Sequence, residues 1–520
     1  RRDEGSQGAQ ARVVQRSQAE VEAALAGVVE RLAGKGQVGK AMRRLRSYGV
    51  ADLQSVLDRL REKYPPRGRE LPPAAEGEGG MQCVDQLEGL WHRLLCLPEE
   101  VAPGSGGLRN EFLVAVAECV AQERGGVDET KAEVLPNFGL LYLHGALPPW
   151  FYKVWLTVQT VPLYKDAEQS GIRPVGMRNP LLKALHSEVL VSVAAEAKAV
   201  LEPIQLGLAK HCSEKLVFAV RSLLEVAQAE GRPGWGGVKL DLKNAFNAVF
   251  QARVLAALQA EPSLRHLVPL VRALFEGGCG LEAGGVLWGE SSEGVAQGDP
   301  LSMLLFCVGI HEDLVWLQAQ LEECGGMVRA GADDVYVVGP LEVVVPKVLE
   351  MAAKLKDGAG LELELSKTLA LTLDGVEHPA AAAVGLPQAG KEVGGVFESG
   401  FVCHGVPVGS DAFVRAALQE KVDELKEVHR QAQQVLGRSS RQALWSGLKG
   451  SLAVQFDHLL KAVYPPLVME AARELDASLR GVLGTAAGQQ VPRGAAGFQV
   501  RQEVEVAWRC GSGAVGHIYM

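Results

Sequence analysis

The stretch AGADDVYVVG (residues 330–339) sets two adjacent carboxylates, Asp333 and Asp334, between apolar runs. Val328 to Val338 reads as a hairpin of two strands with the aspartates at its polar tip. Neighbouring carboxylates repel one another unless a cation or hydrogen-bond donors neutralise them. A hydrated surface turn also tolerates such a pair, so Asp333 and Asp334 alone decide nothing. Upstream, KLDLKNAFN (239–247) places Asp241 at the end of an apolar strand, Val238 to Leu242. Period-two alternation sends Leu240 and Leu242 to one face and the Asp241 carboxylate to the other. Alone, Asp241 also reads as an edge-strand polar residue. Together the aspartates suggest more, because Mg²⁺ is held by a few carboxylates plus substrate phosphates. Nucleotidyl transfer by two metals needs carboxylates from different elements, converging on ions about 4 Å apart. A strand-end Asp beside a hairpin-tip Asp pair supplies that geometry if the two strands are neighbours.

A third stretch lies between them, GVAQGDPLSMLLF (294–306). Gly298 permits a closely approached backbone, and Asp299–Pro300 signals the start of an apolar helix. Such a turn can lie against a sugar or a base pair.

The order of these pieces resembles the palm motifs of reverse transcriptases: Asp241-x-x-x-Ala245-Phe246, Gln297-Gly298-Asp299-Pro300, then Ala332-Asp333-Asp334. The Gln-Gly-Asp-Pro form resembles the non-LTR (LINE-like) and group II intron branch. VPLYKDAEQSGIRPVG (161–176) resembles the fingers motif, and EPIQLG (202–207) the segment that follows it. GLELELSKT (360–368) resembles the Gly-Leu…Lys-Thr motif, and HGVPVGS (404–410) the primer-grip turn. The resemblance covers residues 150–410 strongly and 411–520 loosely. It implies an α+β right-hand polymerase with fingers, an antiparallel palm sheet and a helical thumb. Asp241, Asp333 and Asp334 would then ligate two Mg²⁺ ions, with Asp334 assisting. Lys165 and Arg173 would hold the incoming triphosphate, Arg by a bidentate contact and Lys as a point charge. Phe246 would lie under the sugar and favour deoxynucleotides, and Gln297 and Gly298 would meet the nucleotide or template. Lys367 would protonate the leaving pyrophosphate. Outside this context Phe246 reads as core, and the three cations as solvated charges. The sequence departs from the pattern at three places. Gly331 stands where many relatives carry an aromatic, His404 replaces the usual leucine of the grip turn, and LAKHCSEK (208–215) lacks a Gly-rich run.

Around this centre the chain divides by pattern. Residues 1–64 read as a helical extension, with helices over 8–33, Val38–Ser47 and Ala51–Lys63; Lys40, Arg43, Arg44 and Arg46 make one face of the second basic. PPRGRELPPAAEGEGG (65–80) has linker composition. Residues 81–129 read as a helical connector with helices over 82–97 and 108–123. Fingers and palm fill 130–408, with strands at Val154–Leu163 and Ile172–Met177 and helices at 180–201, 213–229, 251–259 and 300–322. The thumb takes 409–520, where Leu418, Val422, Leu425, Val428, Ala432 and Val435 form one stripe. VPRGAAGFQVRQEVEVAWRC (491–510) resembles the end of a LINE-like thumb.

Composition sets limits on this picture. The 520 residues are 47% hydrophobic and 22% charged, enough for a sizeable core. A net charge of −9 means that any contact with nucleic acid is local rather than global. The nine cysteines include no C-x-x-C pair, and His211–Cys212, Cys403–His404 and Cys510…His517 match no zinc spacing, so reduced thiols are expected. No membrane span and no secretory signal are expected, and a first residue of Arg1 suggests a piece of a longer reading frame. The partners implied by the resemblance are an RNA template, a DNA primer and deoxynucleoside triphosphates, with the nucleus as location by analogy. Two rival readings remain: a recruited, maturase-like RNA-binding scaffold, and an RNA-templated RNA polymerase, which Phe246 disfavours.

Overall fold

The computed structural model describes residues 18–45, 48–78, 81–99, 101–123, 129–166 and 168–488. The calls on residues 8–17, on Arg46 and on 491–510 therefore lie outside the described residues. Two compact units emerge. One joins the described residues of 1–47 to those of 415–520, and the other is Tyr48–Val414.

In the larger unit, eleven strands form three sheets among the described residues. The first uses β1 (Val158–Tyr164), β2 (Ile172–Met177), β4 (Cys279–Ala283) and β5 (Val286–Ser291), and the strand between them in sequence, β3 (Trp235–Leu240), belongs elsewhere. Its order is β2-β1-β4-β5. The second joins β3 to β6 (Met327–Gly331), β7 (Asp334–Pro340) and β8 (Leu369–Thr372) in the order β6-β7-β3-β8. Every pair in it is antiparallel. The third holds β9 (Gly390–Val393), β10 (Val396–Cys403) and β11 (Val406–Gly409). The architecture is α+β, as the motifs implied.

The β6-β7-β3-β8 sheet has two differently covered faces. Val238, Leu240, Val335 and Val337 point into the main core with the helices Ser302–Leu321 and Leu341–Ala359. Alternation puts Gly237, Lys239 and Asp241 on the opposite face. There a Cβ on Gly237 would meet the Phe401 ring of β10, and the Lys239 amine donates to the Val402 carbonyl at 2.9 Å. The helix Cys212–Ala229 packs on this face too, its Leu216 lying against Gly331.

Several local expectations change. The segment 82–97 is helical only at Leu90–Leu95, and residues Val154 and Trp155 end a helix, Pro149–Trp155, before β1 starts. Ala51 to Tyr64 packs with the first sheet, through Ala51, Val56 and Leu60 against Val158, Ile172 and Leu281. The Ala51 N–H donates to the Pro162 carbonyl at 2.9 Å. Residues 65–78, linker-like in composition, lie as a strap on the same unit. Arg67 donates to Gln251 Oε1 at 3.1 Å and to the Phe275 carbonyl at 2.8 Å, and buried Glu78 pairs with Arg272. Proline removes donors from this backbone, so arginines and a buried carboxylate supply the anchoring.

The smaller unit is helical. Its core joins Val29, Ala41 and Met42 of the helices Gln18–Gly34 and Val38–Leu45 to Val428, Ala432 and Leu436 of the Asp411–Ser439 helix. The apolar stripe from Leu418 to Ala432 is buried and Val435 is half-buried. No described helix is long and apolar enough to cross a membrane.

Candidate active site

Antiparallel register brings the aspartates together. Leu240 of β3 faces Val335 of β7, so the next position sets Asp241 level with Asp334. Gly331 faces Asp334 across the β6–β7 hairpin, and Ala332–Asp333 is its two-residue turn. Asp333 is therefore beside Asp241 although far from it in sequence. Burial pushes the Asp333 carboxyl up, and the charges of Asp334 and Asp241 push it further. A backbone N–H and His404 offset part of this, and crowded carboxylates of this kind suit a hard divalent cation. Among the described residues, no three His, Cys, Asp or Glu side chains by themselves close on a single ion position. Mg²⁺ fits that arrangement, since it completes its shell with water and substrate oxygens.

The turn is strained and held. Ala332 has φ +61°, a region that costs an L-residue with a Cβ about 1–2 kcal/mol. The side chain of Gln205, only 1% exposed, clamps it from both sides. Its amide nitrogen donates to the Ala332 carbonyl at 3.1 Å, and its oxygen accepts from the Ala332 N–H at 2.9 Å. Gln205 lies in the quoted EPIQLG stretch, yet nothing in the sequence shows where its amide points. Gln205→Ala would take this partner from three backbone groups, the N–H and carbonyl of Ala332 and the N–H of Gly207. An unfolding free energy lowered by about 2–3 kcal/mol is expected in denaturant titration, together with a loss of whatever activity the turn supports.

The segment 362–368 wraps beside Asp241. Glu364 N–H donates to the Asp241 carbonyl at 2.8 Å, and Asp241 N–H donates to Thr368 Oγ1 at 3.3 Å. This brings exposed Lys367 to the site's margin. Lys165 follows β1, and Arg173 on β2 faces Leu163. The Lys165 amine is held below its ordinary value, first by partial burial and then by the charges of Lys63, Arg173 and Lys367, with Asp241 opposing. Four cations thus gather opposite one aspartate. Lys63 carries no signal in the sequence; it arrives because Asn244 Nδ2 donates to its carbonyl at 2.8 Å, tying it to the loop after Asp241.

The Gln297–Gly298 turn lies on β2. A Cβ on Gly176 would stand 2.8 Å from the Gln297 carbonyl oxygen, and one on Gly298, at φ +86°, 2.7 Å from that of Gly176. Only two glycines allow this approach. Asp299, next in the chain, is 7% exposed and lies 2.7 Å from His186 Nδ1 and 3.5 Å from Arg178. Tyr142 Oη is 3.0 Å from His186 Nε2, which completes a buried polar chain. Burial alone would raise the Asp299 carboxyl, but His186, Arg178 and the Leu301 N–H outweigh it and hold it at about 2. Phe246 is half-buried, its ring stacked on Phe306 at 4.6 Å between centroids and 15° between planes.

A four-stranded antiparallel sheet that carries Asp241, Asp333 and Asp334 at one end, beside a sheet that carries cations, is the arrangement of palm and fingers that the motifs imply. The particular kinship comes from a curated relative, the retrovirus-related Pol polyprotein from the type-1 retrotransposable element R2 of Popillia japonica. The two are 25% identical over 293 residues, covering 52% of this chain and 37% of that protein. The chain thus spans just over a third of the length of the relative it matches. This supports the resemblance to reverse transcriptases of the non-LTR type. No family profile matches the chain. Among solved structures, apo telomerase from Candida tropicalis, truncated from its C-terminal domain, matches at a TM-score of 0.32 and 13% identity, over 42% of this chain and 50% of that one. Telomerase from Candida albicans, in complex with a fragment of telomeric RNA, matches at 0.35 and 12%, over 70% and 65%.

Proposed function

We propose that this chain is an RNA-directed DNA polymerase of non-LTR retroelement type, extending a primer 3′-hydroxyl on an RNA template. The observation that carries the reading is the register that sets Asp241 level with Asp334 and beside Asp333, facing Lys63, Lys165, Arg173 and Lys367. Residues 130–408 act as fingers and palm, together with 48–78, which pack on them, and 409–520 as thumb. Asp241 and Asp333 hold two Mg²⁺ ions with help from Asp334. These ions, when bound, supply Lewis-acid activation of the 3′-hydroxyl and neutralise the triphosphate. Lys165, Arg173 and Lys63 bind the triphosphate oxygens, and Lys367 delivers a proton to the departing pyrophosphate. Phe246, braced by Phe306, closes the space where a 2′-hydroxyl would lie. The hybrid is gripped by its backbone and A-like shape, and base pairing supplies sequence.

Purified protein on primed poly(rA) is expected to incorporate labelled dTTP only with Mg²⁺, and Phe246→Ala to admit ribonucleotides. Template binding without incorporation would replace this reading with that of an RNA-binding scaffold. A preference for ribonucleotides in the unmodified protein would make it an RNA polymerase.

A further inference from the structure

The turn between β10 and β11 brings His404 to the aspartates. Its Nε2 lies 3.5 Å from Asp334 Oδ2, and its Nδ1 lies 3.2 Å from Ser213 Oγ on the Cys212–Ala229 helix. Its backbone N–H donates to the buried Tyr336 hydroxyl at 3.3 Å, so main chain and ring are both anchored. The ring occupies space that a side chain on β6 would otherwise fill. A Cβ added to Gly331 would stand 2.5 Å from both Cε1 and Nε2 of His404, and 2.6 Å from Leu216 Cδ1. Gly331 is the residue that faces Asp334 across the hairpin. The imidazole thus sits beside Asp334 in the space that Gly331 leaves, held on its far side by a serine from another element.

We infer that His404 is a positioning residue for Asp334, that Ser213 orients its ring, and that Gly331 is glycine because the imidazole takes its side-chain space. An Asp334 carboxylate on an open hairpin has free rotamers. His404 Nε2 is buried, makes no hydrogen bond and stands 3.5 Å from Asp334 Oδ2, so this carboxylate is the partner in reach and the ring favours the rotamer that turns toward it, as the outer partners of metal ligands do. The inference rests on the proposed two-cation centre.

The test is direct Mn²⁺ binding to the full chain by electron paramagnetic resonance, beside steady-state dTTP incorporation and thermal melting. His404→Ala is expected to weaken Mn²⁺ about tenfold and to lower kcat, while KM for dTTP changes by less than about twofold. His404→Gln, whose amide reaches the Nε2 position, restores most of both. Gly331→Ala reproduces the loss alone but adds little to it in the His404→Ala background, because its target is gone. Unchanged Mn²⁺ affinity in His404→Ala and in His404→Gln, while Asp333→Ala loses Mn²⁺, overturns the role of His404 and leaves the metal centre standing. If Asp333→Ala also binds Mn²⁺ as before, the metal reading itself fails. A melting loss with affinity and kcat intact would make His404 a packing residue only.

Discussion

Asp333→Asn is expected to reduce primer extension by about a thousandfold or more while leaving the protein at least as stable as before. The catalytic part follows from what the carboxylate would hold. Losing a carboxylate that would hold the ions would remove several kcal/mol of transition-state stabilisation, and each 1.4 kcal/mol is about tenfold in rate. The stability part follows from the site's electrostatics. Burial, with Asp334 and Asp241 close by, holds the Asp333 carboxyl above its ordinary value. A carboxyl raised on folding destabilises the metal-free protein once pH exceeds its unfolded value, so a neutral amide of the same shape relieves that repulsion. Melting in EDTA and single-turnover incorporation in Mg²⁺ should therefore move in opposite directions. A variant that loses stability in step with activity would show that Asp333 is a packing residue. Asp334→Asn is expected to cost less activity, as the assisting member of the set.

The largest effect on the fold is expected at Asp299. Removing one partner of a buried ion pair leaves the others uncompensated, at about 3–5 kcal/mol. Asp299→Ala strands Arg178, 6% exposed, and His186, 0% exposed, beneath the Gln297–Gly298 turn. Urea unfolding of the larger unit should register that loss, and Asp299→Asn, which keeps the shape, a smaller one. The pH dependence has a defined sign. The carboxyl falls from an ordinary 3.8 to about 2 on folding, so its contribution is fully present above about pH 4 and disappears as pH falls toward 2. That contribution is about 2–3 kcal/mol at neutral pH. A loss below about 1 kcal/mol in Asp299→Ala would show that the pair is not what holds the turn. Because Gly176 and Gly298 pack backbone to backbone there, nucleotide binding should weaken along with stability.

Much of the aspartate-bearing hairpin was legible in advance. Val328 to Val338 announced two strands because their apolar runs flank a polar tip that only a tight turn can expose. Ile172–Met177 was legible for the same local reason, and the buried stripe from Leu418 to Ala432 because a helical period repeats within a few turns. The linker-like composition of 65–80 misled, since composition records which backbone donors are missing and not which distant arginines replace them. The segment 82–89 likewise has apolar residues but no helix, its side chains being spent on packing against other elements.

Sequence by itself determined the identity of the aspartates, the hairpin that bears two of them, and the ordered motifs that carry the resemblance. These depend on residue type and short-range period, which the chain displays locally. Tertiary structure alone decided that Asp241 stands level with Asp334, that Lys63 joins Lys165 and Arg173, and that Gln205 clamps Ala332. It alone decided that His404 fills the place Gly331 leaves beside Asp334. Each of these is a contact between segments far apart in the chain, and its existence depends on strand register and side-chain direction, which no local pattern encodes.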